Sequence, residues 1–179
     1  GLVGSEMCIR DSPQFDRTMG YFEYGDAIFV ILNGEVTPAD QKAEIMKKEL
    51  QWCKSVLDAS DKKWRIVMTH AGPYTSNHDP MDVRDYYIND SEYSLDAMGV
   101  DLFLNGHDHI YIRSTVKNDI KVNTGDGTTY LTGGTVGNKF YEYIPARSDY
   151  STDFYTDEED KQVFSIIEFS ENSIKGTAY

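Results

Sequence analysis

Two histidines separated by a single residue are the first feature of the chain that could support chemistry. They lie in the segment DLFLNGHDHIYIRS, residues 101–114. His107 and His109 follow an apolar run and Gly106, a residue type that lets the backbone turn sharply. Because alternate residues of an extended chain project to the same side, we expect the two imidazole rings to lie side by side. Such a pair could bind one metal ion or two adjacent ions.

A third histidine, His70, closely follows another apolar run, WRIVM. If the two runs are neighbouring parallel strands, they lie about 4.8 Å apart, and their carboxyl ends form the crevice that open α/β sheets use for function. His70 and His107 would then reach the same ion, while Asp108 would point away and serve a structural role. A single histidine is more often an ordinary hydrogen-bonded loop residue, but three at one sheet edge favour a metal site.

The apolar segments that position these histidines predict an α/β fold. Residues 20–32 indicate a hairpin that turns at Gly25 and Asp26, and residues 64–68 and 101–105 indicate two further strands. Helical patterns separate these strands, and strand–helix alternation of this kind is typical of a parallel sheet. Short β segments then follow, namely IYIRSTV, IKVN, TTYLTGG, QVFSIIEF and SIKGTAY, with the polar segment SDYSTDFYTDEEDK predicted as a loop.

Two helices are predicted between the strands. Thr37, Pro38 and Asp40 are residue types favoured at a helix start. The apolar stripe that follows has helical spacing and comprises Ala39, Ala43, Met46, Leu50, Cys53 and Leu57. Cys53 is therefore expected to be a small core residue. Residues 82–98 suggest a second helix that ends at Gly99.

Composition limits the classes of function. The chain has 179 residues, the length of about one domain, and a net charge of −13. The negative charge disfavours nucleic-acid binding, which needs a basic face, but a bound metal ion could still attract a phosphate group. No segment approaches the roughly 18 consecutive apolar residues of a membrane helix. The two cysteines are too few for a disulfide framework.

The first twelve residues, GLVGSEMCIRDS, differ from the rest of the chain. They show neither strand alternation nor a helical stripe, and they are too short and too polar for a signal peptide. We expect residues 1–12 to be a non-native or disordered tail that packs against nothing. The domain itself is expected to occupy residues 13–179.

The segments VMTHAGPY and VDLFLNGHDHIYIRS together resemble the C-terminal half of a calcineurin-like metallophosphoesterase. GYFEYGDAIFVILN, KKWRIVMTH and TTYLTGG fit the purple-acid-phosphatase-like branch of that superfamily in the same order. The resemblance covers nearly all of residues 21–179. It implies an α/β fold that is part of a four-layer α/β-β/α metallophosphoesterase sandwich, with a binuclear metal site.

The same resemblance implies a role for each histidine. His70 and His107 would bind one metal ion and His109 the other, with the ions being Fe, Zn or Mn. His78, in the loop after His70, would donate a proton to the leaving group. The implied reaction is hydrolysis of a small phosphate ester or of a phosphorylated substrate, without nucleic acid as a partner, in an extracellular or cell-envelope location.

Three further motifs of the superfamily are absent from this sequence. They are D-x-H, G-D-x-x-D and G-N-H-[DE], and no histidine precedes His70. The resemblance implies that these motifs supply the bridging aspartate and most ligands of one ion. We therefore expect the chain to be an incomplete fragment that is inactive alone.

Two other interpretations remain open. The chain could be a non-enzymatic metal-binding or adhesive β-rich module that contains three histidines. It could also belong to another class of binuclear hydrolase, such as the metallo-β-lactamase-like proteins, but these have H-x-H-x-D-H. Here Ile110 and Tyr111 follow the histidine pair, which disfavours that class. Upstream coding sequence with D-x-H and G-N-H in frame would favour the phosphoesterase.

Overall fold

The computed structural model describes residues 10–11, 18–34, 41–75, 81–90, 92–144, 154–155 and 161–179. The helices in these ranges are α1 (Lys42–Ala59) and α2 (Met81–Ile88). The strands are β1 (Arg10–Asp11), β2 (Gly20–Tyr24), β3 (Ala27–Ile31), β4 (Trp64–Met68), β5 (Leu102–Asn105), β6 (Ile112–Lys117), β7 (Ile120–Lys121), β8 (Thr128–Thr132), β9 (Phe154–Tyr155), β10 (Ser165–Phe169) and β11 (Ile174–Ala178).

A nine-stranded mixed sheet forms the centre of the fold. Its order is β1-β2-β3-β4-β5-β8-β6-β7, with β9 paired to β6. The central strands β3, β4, β5 and β8 run parallel, and the strands on either side are antiparallel. β2 and β3 form the predicted hairpin, with Gly25 at φ 56° in its turn. The α/β fold predicted from the sequence is confirmed.

Both faces of the sheet are apolar, and alternate residues of each strand belong to opposite faces. On β3, Ile28 and Val30 pack on the helical side, whereas Ala27 and Phe29 pack on the other side. Strands buried on both faces read as continuous apolar runs, which explains the sequence of the central strands.

The helical side is closed mainly by α1. Met46, Leu50, Cys53 and Leu57 of the predicted stripe are buried there, whereas Ala43 is exposed. Burial raises the pKa of the Cys53 thiol to about 12, consistent with its predicted role in the core. The expected helix start at residues 37–40 lies outside the described residues. Neither helix in the described ranges combines the length and apolarity needed to cross a bilayer.

The opposite face of the sheet is covered by the β10–β11 hairpin. The ring of Phe169 packs edge-on against Phe29, with 5.5 Å between ring centroids. The Trp64 indole N–H donates to the Ser170 carbonyl over 2.8 Å. The hairpin therefore adds a further layer to the helices and the sheet.

The second helix is shorter than its sequence pattern predicts. α2 ends at Ile88, and turns lead from there to Gly99, which has φ 66°. The Asp90 carboxylate accepts hydrogen bonds from the backbone N–H groups of Glu92 and Tyr93. An aspartate that binds nearby backbone in this way competes with the helical hydrogen bonds, so the helix ends before it.

Two expectations about irregular segments are wrong. Arg10–Asp11 pairs with β2, which contradicts for these two residues the expectation that residues 1–12 pack against nothing, and the others of the twelve lie outside the described residues. Phe154–Tyr155 pairs with β6, inside a segment expected to be loop. Edge strands present unpaired N–H and C=O groups, so any extended segment nearby can pair with them regardless of its side-chain pattern.

A buried carboxyl group on α1 makes stability depend on pH. Glu49 is 1% exposed, and its carboxylate accepts a hydrogen bond from the Gly34 N–H over 3.4 Å. Burial raises the pKa of Glu49 above its ordinary 4.5, although the Gly34 hydrogen bond acts in the opposite direction. Because the folded state binds this proton more tightly, the contribution is stabilising at low pH and is lost as pH rises through the folded-state pKa.

We expect Glu49→Gln to increase the free energy of unfolding at neutral pH, because the amide is uncharged and still accepts from Gly34. The gain should shrink as pH falls toward 4.5. Urea unfolding at a series of pH values measures it. Glu44→Gln, on the exposed side of α1, is the control: Lys48 lowers the pKa of Glu44, so its removal should act in the opposite direction. A gain that does not vary with pH would contradict the burial argument.

Candidate metal site

The candidate site lies where β4 and β5 end side by side. These strands are parallel neighbours, the arrangement that the metal-site hypothesis requires, and Met68 lies opposite Leu104. The pairing continues past the strand ends, because the Thr69 N–H donates to the Leu104 carbonyl over 3.1 Å and the Gly106 N–H donates to the His70 carbonyl over 2.9 Å. This last bond joins His70 directly to the residue before His107, so the two histidine-bearing segments lie next to each other.

The His70 and His107 rings are in direct contact. His107 Nδ1 lies 2.9 Å from His70 Nε2, and the ring centroids are 4.9 Å apart at an interplanar angle of 77°. Two nitrogens bound to one ion at about 2.0–2.1 Å lie about 2.9 Å apart when the angle at the ion is about 90°. His70 is exposed and His107 is half-buried. The chemistry and spacing of this nitrogen pair therefore fit one accessible metal ion.

The backbone at His107 is in an unusual conformation. Its φ is 71°, and the Asp108 N–H donates to the Gly106 carbonyl over 2.9 Å. A bond that spans three residues with positive φ at the centre is a γ-turn of the rarer kind. A non-glycine residue held there costs about 1–3 kcal/mol, and such residues cluster at functional sites.

The expectation that His107 and His109 lie in extended chain is therefore wrong. His109 also has a positive φ, of 54°. The γ-turn at Gly106 to Asp108 interrupts the alternation that the sequence argument assumed. Asp108 is fully buried, in agreement with the structural role expected for it.

His109 is held by a different set of contacts. Its Nδ1 lies 2.8 Å from the Lys139 carbonyl oxygen, and its ring is 4.8 Å from the Tyr141 ring. Because a carbonyl can only accept, Nδ1 carries the proton in the neutral ring, and Nε2 of that tautomer has the lone pair. Metal-binding histidines commonly donate their second N–H to a backbone carbonyl in this way, so the chemistry of His109 also fits a metal ligand.

The described part of the chain supplies an incomplete ligand set. It contains no group of three or more His, Cys, Asp or Glu side chains that could hold a metal ion. His70 and His107 form a pair, and His109 does not complete it to three. His78 lies outside the described residues. The roles assigned to all four histidines remain predictions.

Asn105, a buried polar residue next to the histidine pair, was not singled out from the sequence. Asn105 ends β5 and is 8% exposed. Its Nδ2 lies 3.0 Å from Thr132 Oγ1 and 3.2 Å from the Gly106 carbonyl oxygen. An asparagine at the end of the apolar run LFL was the available signal, because a buried amide needs hydrogen-bond partners.

Comparison with known proteins decides the family. The model of the calcineurin-like phosphoesterase family matches residues 8–111. The chain belongs to this family. The match to the calcineurin-like phosphoesterase model begins at residue 8, inside the first twelve residues. The domain boundary expected at residue 13 remains a prediction.

The chain lies in the purple-acid-phosphatase-like branch of the calcineurin-like phosphoesterases. It is 30% identical over 119 residues to purple acid phosphatase 18 of Arabidopsis thaliana, a match that covers 63% of this chain and 25% of the relative. The branch named from the sequence motifs is therefore confirmed.

Solved structures show the same fold. Purple acid phosphatase PPD1 from yellow lupin (Lupinus luteus) seeds matches with a TM-score of 0.53 and 19% identity, over 83% of this chain and 27% of that protein. GAP50, described as the anchor in the inner membrane complex of Plasmodium, matches with a TM-score of 0.62 and 17% identity. The match covers 89% of this chain and 48% of that protein. PhoD matches with a TM-score of 0.52 and 16% identity, over 89% of this chain and 40% of that protein. The chain thus spans less than half of each protein.

We expect neutral His109 to be the Nδ1–H tautomer, because its Nδ1 donates to the Lys139 carbonyl. Two-bond ¹⁵N–¹H correlation spectra distinguish the protonated ring nitrogen from the one with a lone pair. The Nε2 signal of His109 should be that of the lone-pair nitrogen. Protonation at Nε2 instead would show that this ring is not oriented for metal binding.

Proposed function

We propose that this protein hydrolyses phosphate esters with two metal ions, and that this chain supplies His70 and His107 to one ion and His109 to the other. The observation that carries the proposal is the 2.9 Å contact between His107 Nδ1 and His70 Nε2 at the ends of neighbouring parallel strands. Membership of the calcineurin-like phosphoesterase family supports phosphoester chemistry in general.

The side chains of this chain would have distinct tasks. Fe, Zn or Mn ions, when bound, supply Lewis acidity toward a phosphoryl oxygen. His70 and His107 place two ring nitrogens 2.9 Å apart, where one ion could bind both. The hydrogen bond to the Lys139 carbonyl fixes the tautomer of neutral His109. His78 is proposed, from the family resemblance, to donate a proton to the leaving oxygen.

The charge of the chain bears on its substrate. A net charge of −13 repels anions, so a phosphate group must be attracted locally, as bound cations can do. This favours a small phosphate ester or a phosphorylated molecule over a nucleic acid, whose extended backbone needs a basic surface. The extracellular or cell-envelope location rests on the resemblance alone.

We propose that the remaining ligands lie outside this chain, because D-x-H, G-D-x-x-D and G-N-H-[DE] are absent from its sequence. Two adjacent ions need more donors than three histidines provide, and the described residues form no larger group. The relatives are two to four times longer than the part this chain matches, since it spans 25–48% of them. The chain alone is therefore proposed to be inactive.

A non-enzymatic role is the second candidate. GAP50, described as an anchor in a membrane complex, shares the fold over 89% of this chain. A chain of this fold could serve attachment rather than catalysis. Metal-dependent turnover distinguishes the two candidates.

We expect no turnover of a chromogenic aryl phosphate by the 179-residue chain, and turnover with added Mn²⁺, Zn²⁺ or Fe once the preceding coding sequence is included. In the longer protein, His107→Ala should nearly abolish activity, because one ion loses a ligand. His78→Ala should lower kcat by about 10²-fold, the contribution of one general acid, and by less with good leaving groups.

Asn123→Ala is the control for these variants, since Asn123 is exposed and lies outside the site. Metal-dependent turnover by the 179-residue chain would contradict the proposed incompleteness. An inactive longer protein that still binds metal would favour the attachment role.

A further inference from the structure

We propose that Asn105 is a positioning residue whose buried amide braces the strained turn that directs His107 toward His70. The proposal rests on the proposed function in taking these histidines as metal ligands. Asn105 itself touches neither ring in the contacts described above, so it would act through the backbone of its neighbour. This role differs from that of an ordinary core amide, which only satisfies its own hydrogen bonds.

The amide of Asn105 and the turn share one hydrogen-bond acceptor. The Gly106 carbonyl accepts the Asp108 N–H over 2.9 Å, the bond that closes the γ-turn around His107. The same oxygen accepts Asn105 Nδ2 over 3.2 Å. The second bond fixes the direction of this carbonyl, and the turn depends on that direction to keep His107 at φ 71°.

The amide of Asn105 is itself held in place from two sides. Thr132 Oγ1 lies 3.0 Å from Asn105 Nδ2 and 3.4 Å from Oδ1. On the other side, Gly72 approaches so closely that a Cβ atom there would lie 2.5–2.6 Å from the amide atoms. A side chain at position 72 would therefore clash with the amide, and only glycine leaves room for it there.

Three segments of the chain meet at the Asn105 amide, namely the loop after β4, the end of β5 and the end of β8. Gly72 follows His70 in the loop after β4, while Thr132 ends β8. The Gly133 N–H donates to the Asn105 carbonyl over 2.8 Å, and the Gly106 N–H donates to the His70 carbonyl over 2.9 Å. The amide therefore lies where both histidine-bearing segments join the sheet, and its loss would loosen their relative position.

The burial of the Asn105 amide would be unfavourable without the hydrogen bonds that it forms. Taking a polar group out of water is costly unless it is hydrogen-bonded, and the rest of β5 is the apolar run Leu102 to Leu104. Its bonds go to the turn and to β8, and the turn holds His107 at a positive φ, a costly conformation for a non-glycine residue. Removal of groups that orient metal ligands typically lowers metal affinity about 10–100-fold.

The test compares Asn105→Ala and Asn105→Asp with wild type in the full 179-residue chain. Aspartate keeps the shape and can still accept from Thr132, but a carboxylate cannot donate to the Gly106 carbonyl. Gly72→Ala disturbs the amide from the opposite side. Asn123→Ala, at an exposed asparagine, is the matched control.

Three readouts together separate positioning from stability. In the metal-free protein, nuclear Overhauser effects between the His70 and His107 rings report their contact. Calorimetry with Co²⁺ reports the affinity of the pair, and urea unfolding reports global stability. We expect both Asn105 variants and Gly72→Ala to remain folded, to lose the ring contact and to bind Co²⁺ about 10–100-fold more weakly, while the control is unchanged.

Folded Asn105 variants with an intact ring contact and unchanged Co²⁺ affinity would overturn the proposal. Unfolding of all three variants would also overturn it, because Asn105 would then serve folding alone. A wild-type chain that binds no Co²⁺ would count against the proposed function. In that case the ring contact still decides the role of Asn105.

Discussion

The parallel pairing of β4 with β5 is the constraint on which the candidate site depends. The register of these strands places Met68 opposite Leu104. Two backbone hydrogen bonds, from Thr69 to Leu104 and from Gly106 to His70, extend the pairing past the carboxyl ends of the strands. His70 and Gly106 are thereby fixed relative to each other before any side chain is considered. The helices and the β10–β11 hairpin support this pairing by covering the two apolar faces of the sheet.

Around this constraint the molecule combines an apolar interior with a polar, strained edge. The central strands are continuous apolar runs, which supply the burial that stabilises the fold. Two unfavourable features lie past the carboxyl end of β5 or at it, namely a buried amide at Asn105 and positive φ angles at His107 and His109. Strain of this kind persists only where its surroundings enforce it, which links the rigidity of the sheet to the geometry of the histidines.

The sequence predicted the features that depend on periodicity. The α/β class, the β2–β3 hairpin, the buried side of α1 and the pairing of β4 with β5 all follow from apolar spacing. Features that depend on individual hydrogen bonds could not be predicted in this way. The γ-turn at His107 depends on the Gly106 carbonyl, and α2 ends early because Asp90 binds nearby backbone. β1 and β9 have two residues each, too few to show an alternating pattern in the sequence. The family came from the motifs around His70 and His107.

The central claim is that His70 and His107 bind one metal ion together, and anomalous diffraction from a zinc-loaded crystal tests it most directly. One equivalent of Zn²⁺ is added to the full chain, and data are collected at the zinc absorption edge. The account predicts an anomalous peak about 2.0–2.1 Å from both His107 Nδ1 and His70 Nε2. A peak bound to other side chains, with these two nitrogens still hydrogen-bonded to each other, would contradict it.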